Sequence, residues 1–179
     1  DMSAAPPPSP ARDALTALVL IAAWLLASAW LRPLMVPDEG RYAGVAWEML
    51  RSGDWLTPTL NGLPFFHKPP LFYWLSGAAL WLFGLVEIAG RMGALVGATL
   101  GAMALYLFAQ RWSGPASARR ALVVLLAQPL WLVGGQFANL DMLVAGCITA
   151  TVLTLAHAAL SLEAGLPHRR SLWLAYGLA

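Results

Sequence analysis

Four apolar runs, at residues 14–32, 92–110, 121–140 and 142–162, set the plan of the chain, and a fifth opens at Ser171. Each is close to the ~20 residues that an α-helix needs to cross a bilayer. Apart from Arg32 at the edge of the first run, none of the four carries a charge. The pattern predicts an all-α, polytopic integral membrane protein. Because the fifth run is cut off at "SLWLAYGLA", we expect the N-terminal portion of a longer chain.

The first run has a competitor, since "ASAW" at Ala27–Trp30 resembles a signal-peptidase site. Its apolar core is longer than the ~7–15 residues of a signal peptide, and further spans follow, so a retained helix is the better reading. Residues 1–13, "DMSAAPPPSPARD", are proline-rich and read as a disordered cytoplasmic tail.

Between the first two spans lies a stretch, 33–91, of mixed pattern. Within it, residues 42–51 place Gly44, Glu48 and Arg51 on one helical stripe with Arg41, flanked by Val45, Ala46, Met49 and Leu50. That is a short amphipathic helix, closed by Ser52-Gly53. Residues 69–86, "PPLFYWLSGAALWLFGLV", are long enough to span but dense in aromatics, which suits a helix lying at headgroup level.

Charge decides between these models only in part. Arg111, Arg119 and Arg120 fall in one connection and Arg169 and Arg170 in another, and the positive-inside rule makes both cytoplasmic. The ends near Arg91 and Asp141 then face the other side. If residues 69–86 crossed the membrane, "DEGRY" would be cytoplasmic, and Arg32, Arg41, Arg51 and Lys68 would satisfy the rule as well. The interfacial model instead puts Asp38, Lys68 and Asp141 on one aqueous face, as a single reaction centre requires, and it is the one adopted.

Composition narrows the function. Hydrophobic residues make up 59% of the 179 and charged residues 11%, with a net charge of +2 and no basic run, which argues against nucleic acid as a partner. Cys147 is the single cysteine, so no intramolecular disulfide forms.

Ionisable residues this close to a membrane are costly and point to function by default. Asp38 competes with a helix-capping role, as does Asp141 at the head of its span. Lys68 precedes Pro69, which holds it in extended geometry at the mouth of the next helix, where phosphate is the natural anion. A lysine pairing with lipid headgroups is the blander alternative. His67 has no neighbouring His or Cys at ligand spacing and reads as a polar interfacial residue.

Together, "PDEGRYAGVAWEML", "SGDW" and "FFHKPPLFYWLSG", followed by Asp141 at the start of a later span, resemble the bacterial aminoarabinose transferases of lipid A. These belong to the protein-mannosyltransferase-like group of GT-C glycosyltransferases, and the likeness runs from about Ala14 onward. The resemblance implies a GT-C membrane fold whose first periplasmic loop, 33–91, forms short interfacial helices. It implies an inverting enzyme of the bacterial inner membrane, active on the periplasmic side. The donor would be undecaprenyl phosphate-linked aminoarabinose and the acceptor lipid A, giving resistance to polymyxin and other cationic antimicrobial peptides.

Residue by residue, the resemblance gives Asp38 and Asp141 the catalytic acidic positions, and Lys68 the donor phosphate. Arg41 is expected to help bind phosphate, and Glu39 and Tyr42 to help build the site. No cofactor is required for catalysis. Relatives often have Glu where this chain has His67, and the change raises the prospect of a structural zinc there with ligands from elsewhere in a longer chain. A related transferase acting on protein or another glycan shares every motif. A transporter or scaffold is a rival of another class, but its ionisable groups belong at mid-span, whereas these sit at span ends.

Overall fold

The computed structural model describes residues 9–29, 33–35 and 37–178. The chain runs α1 (Pro10–Ala29), α2 (Asp38–Ser52), a two-stranded hairpin of β1 (Thr59–Leu60) and β2 (Leu63–Pro64), then α3 (Leu71–Phe83) and α4 (Glu87–Gly90). It continues through α5 (Met92–Ser113), α6 (Pro115–Leu126), α7 (Pro129–Gln136), α8 (Leu140–Glu163) and α9 (Arg169–Leu178). Among the described residues, α1, α5 and α8 are each long and apolar enough to cross a membrane, and α6 with α7 adds a fourth if the bent pair is one span.

The bend is a departure from the sequence pattern, which predicts one straight span over 121–140. Pro129 has no N–H to donate and disfavours helical geometry in the residue before it. Gln128 is accordingly extended (φ −69°, ψ 122°), and the two helices meet at 68°. The expected tail is also shorter. Pro10 takes the first helical position, where its missing N–H is harmless, and Asp13 in that first turn pairs with Arg119 of α6 at 3.3 Å. Residues 1–8 lie outside the described residues.

α5 and α8 form the heart of the bundle, and their contact depends on two glycines. A Cβ on Gly97 would strike the backbone of Met142 and Leu143, and one on Gly146 would strike the carbonyl of Gly97. Small residues at such a crossing let helix backbones approach where lipid offers no hydrophobic drive.

α3 occupies the ambiguous stretch only in part. Its 13 residues reach about 20 Å at 1.5 Å per residue, short of the ~30 Å hydrocarbon core. It packs instead on α2, burying Phe72, Tyr73, Ser76 and Gly77. Ser76 Oγ donates to the Gly90 carbonyl at 3.1 Å, tying α3 to α4 and so to the start of α5. α2 matches the amphipathic reading, with Val45, Ala46 and Met49 buried and Gly53 (φ 75°) closing it in left-handed geometry.

Candidate active site

Glu39 and Arg91 are both fully buried and lie at the junction that organises one end of the bundle. Arg91 Nε donates to Glu39 Oε1 at 2.8 Å and Nη2 to Oε2 at 3.1 Å. The same guanidinium reaches the carbonyls of Ala29 at 2.7 Å and Pro33 at 2.9 Å. Glu39 also accepts from the amides of Met35 and Ala138, each at 2.8 Å. The exit of α1, the start of α2, the head of α5 and the connection into α8 therefore meet here. A buried carboxylate is tolerable because it is paired and its remaining lone pairs are filled.

Asp38 lies beside Glu39 in sequence, in a different setting. Its side chain is 50% exposed and accepts from Arg41 Nη2 at 2.7 Å. Pro37 occupies the cap position, and no side-chain cap bond forms, so the competing reading of Asp38 as a helix cap fails.

Arg41, Tyr42, Phe65, His67 and Lys68 line a cavity of about 80 Å³. That is well below the ~300 Å³ or more of a complete ligand pocket. Two cations face it with an aromatic floor. The Arg41 guanidinium lies 5.9 Å from the Tyr42 ring, and Tyr42 packs edge-on against Phe72 at 5.2 Å. Burial, aided by Tyr42, pushes the Tyr73 hydroxyl up to about 12, while Arg41 pulls the other way. Tyr73 is thus a neutral support beneath the site.

The strand hairpin shapes the approach to Lys68. Asn61 (φ 54°) and Gly62 (φ 74°) make a tight turn with both residues left-handed, the pairing that Asn-Gly favours between antiparallel strands. Glu48 of α2 accepts from the Asn61 amide at 2.6 Å and the Gly62 amide at 3.2 Å. The Thr59 side chain and these amides hold the Glu48 carboxyl below its ordinary 4.5. Asp54 likewise accepts from the amides of Leu56 and Thr57, which lower its pKa.

Asp141 is exposed in the first turn of α8, three residues past Ala138. Pro69 and Leu71 share a cavity of about 460 Å³ with Leu140. The chain neighbours of Lys68 and Asp141 thus border one groove. Asp38, Arg41, Tyr42, Lys68 and Asp141 all belong to this end of the bundle. Glu39 does too, but its carboxylate is turned into the protein. The His67 ring stacks on Phe65 at 4.7 Å, and among the described residues no three His, Cys, Asp or Glu side chains are grouped to hold a metal ion.

Arg91 is the residue that sequence reading misses, taking it only as the marker of a span's end. Its one signal is a lone arginine set directly before an apolar run, where a charge is expensive and calls for a partner. The partner lies 52 residues away, beyond any local pattern.

A model of the family described as dolichyl-phosphate-mannose-protein mannosyltransferase matches residues 67–179, a stretch that includes Lys68 and Asp141. The chain is 36% identical over 169 residues to the undecaprenyl phosphate-alpha-4-amino-4-deoxy-L-arabinose arabinosyl transferase of Erwinia tasmaniensis, covering 94% of this chain and 30% of that one. The protein of the same name from Edwardsiella ictaluri is 41% identical over 111 residues, covering 62% of this chain and 20% of its own. Among solved structures, ArnT from Cupriavidus metallidurans superposes with a TM-score of 0.74, in the apo state (35% identity) and bound to undecaprenyl phosphate (33%). Both cover 84% of this chain and 28% of that chain. The chain thus spans less than a third of the length of these relatives.

Proposed function

This chain belongs to the dolichyl-phosphate-mannose-protein mannosyltransferase family, and on that premise we propose that it forms the donor-side part of a lipid-linked sugar transferase. The full-length enzyme moves 4-amino-4-deoxy-L-arabinose from undecaprenyl phosphate to a phosphate of lipid A. The reaction takes place at the periplasmic face of the bacterial inner membrane. Masking that phosphate weakens the binding of polymyxin and other cationic peptides. The observation that carries the reading is the small cavity between Arg41 and Lys68, with Asp38 bonded to its arginine wall. The relatives from Erwinia tasmaniensis and Edwardsiella ictaluri are both named for this activity and are 36% and 41% identical to this chain over the matched stretches.

The chemistry follows from the charges. The acceptor phosphate oxygen attacks the anomeric carbon from the face opposite the donor phosphate, which inverts that centre. As the sugar C–O bond breaks, its electron pair passes to the departing polyprenyl phosphate, which gains one negative charge. Lys68 and Arg41 stand where that charge develops, and fixed cations of this kind lower the barrier. A phosphate acceptor is already ionised and needs no strong base. Asp38 and Asp141 instead orient the acceptor and favour positive character on the sugar and its amine. With a hydroxyl acceptor, Asp38 would serve as general base. Neither route calls for a cofactor, because the donor phosphate is already a leaving group.

The test is mass spectrometry of lipid A from cells that lack their own aminoarabinose transferase and carry the full-length gene, unaltered or with Asp38→Asn. An aminoarabinose increment with the first and none with the second supports the reading. Unmodified lipid A in both, with protein present in the membrane, sinks lipid A as acceptor. That result turns the search to protein acceptors, which the family's description favours.

A further inference from the structure

We propose that Glu39 and Arg91 are positioning residues that fix the two exposed acids, Asp38 and Asp141, at their working separation. This rests on the reading of Asp38 and Asp141 as the acids that flank the donor sugar. The pair itself is fully buried.

Its reach is what sets it apart from an ordinary ion pair. The Glu39 carboxylate holds an amide in the α1–α2 connection (Met35), the side chain at the head of α5 (Arg91) and an amide in the α7–α8 connection (Ala138). Asp38 is the residue before Glu39, and Asp141 follows Ala138 by three residues. One carboxylate therefore couples the helix that carries one acid to the connection that leads directly into the helix carrying the other, across 99 residues of sequence. Arg91 holds that carboxylate in both of its oxygens while its other bonds pin Ala29 and Pro33. A guanidinium fork matches a carboxylate in this two-point way, and an ammonium does not.

Burial alone does not require this arrangement. A well-packed apolar pair often stabilises a fold as well as a buried ion pair does. It cannot accept the Ala138 amide, however, and that bond is the tie to Asp141. Stability and positioning therefore separate experimentally.

The experiment uses the full-length enzyme in lipid nanodiscs with Glu39→Gln, Arg91→Lys and the apolar double variant Glu39→Met/Arg91→Met. Hydrogen exchange is read on the segment 137–141, and release of polyprenyl phosphate is timed per donor-loaded enzyme, so that unfolded molecules drop out. Glu39→Gln keeps one acceptor oxygen and should speed exchange at 137–141 only in part, whereas in the double variant, which removes the acceptor of the Ala138 amide, we expect exchange there to speed at least tenfold while the interior of α8 is unchanged. Turnover should fall about 100-fold, the scale of a 1 Å misplacement, with the donor KM moved less than about threefold. Arg91→Lys should lie between Glu39→Gln and the unaltered enzyme. The double variant should regain the unaltered melting temperature and not the turnover. Unchanged exchange at 137–141 in the double variant overturns the proposal, because that readout needs no activity. Turnover that recovers together with melting temperature in the double variant also overturns it, leaving the pair a stabilising role only. An unaltered enzyme that releases no polyprenyl phosphate defeats the transferase reading instead, and the exchange result then stands alone.

Discussion

The carboxylates of Asp38 and Glu39, adjacent in sequence, serve different sides of α2: Glu39 is wholly buried against Arg91, whereas Asp38 is half exposed against Arg41. Successive residues of a helix point about 100° apart, so one turn can supply both a fastening and a reactive group. The division explains why an acidic pair stands directly after a membrane span. One acid ties that span to its neighbours, and the other stays half exposed at the surface.

Asp38→Asn is the direct test of this division. Asp38 caps no helix end, and its exposed pair with Arg41 is worth at most about 1 kcal/mol. Sugar transfer should fall at least ~100-fold, the low end of what a positioned acid or base contributes. The melting temperature should stay within about 2 °C, since less than 1 kcal/mol is at stake. Transfer kinetics and a thermal melt on one preparation check both halves.

Lys68 predicts a different kinetic pattern. Removing one charged partner of a phosphate costs ~1.5–3 kcal/mol, so Lys68→Ala should weaken donor binding by about 10- to 150-fold. Lys68→Arg keeps the charge and should recover most of the affinity. Because the site is exposed, the unaltered enzyme should also bind donor less well as salt rises from 0.05 to 0.5 M, and Lys68→Ala should respond less. Equilibrium binding of undecaprenyl phosphate at several salt concentrations reads both effects.

The hairpin before Lys68 should loosen in acid. The folded-state pKa of Glu48 is depressed by the Thr59 side chain and the Gly62 and Asn61 amides. A depressed carboxyl contributes stability that is present above its unfolded value and is lost as pH falls through the folded one. Protection of the amides at residues 59–63 from exchange, relative to an unstructured peptide at the same pH, should therefore be high at pH 7 and fall below the ordinary 4.5 of a glutamate. In Glu48→Gln the same amides should exchange faster at neutral pH and lose the acid-dependent step.

Much of this arrangement is legible in the sequence, and the limits are instructive. Apolar runs give α1, α5 and α8, and the stripe through Val45, Ala46 and Met49 gives α2, because burial and helical period leave a direct imprint. "KPP" marks where Lys68 sits, since proline restricts the residue before it. The same rule at Pro129 is also written in the sequence, but hydropathy over 121–140 hides it. Arg91 is illegible for another reason. What makes it important is a partner brought near by three helix connections, and neither burial nor pairing at that range has a local signature. Glu39 looks like Asp38 on the page, and only the packing shows which of the two faces inward.

The close approach of α5 and α8 gives the last prediction. The Cα of Gly97 and the backbone of Gly146 leave no room for a side chain, so Gly146→Val must part the two helices. Overpacking of this kind costs ~1–3 kcal/mol, and the loss falls where Asp141 begins α8. The bilayer does not drive the helices back together, because lipid tails are as apolar as the valine. We therefore expect Gly146→Val to lower both the melting temperature and sugar transfer. Leu155→Phe, which adds bulk on an exposed face of the same helix, should change neither. Equal loss in the two variants would mean that the helix tolerates no added bulk anywhere, and the glycine contact would then have no special part in holding Asp141 in place.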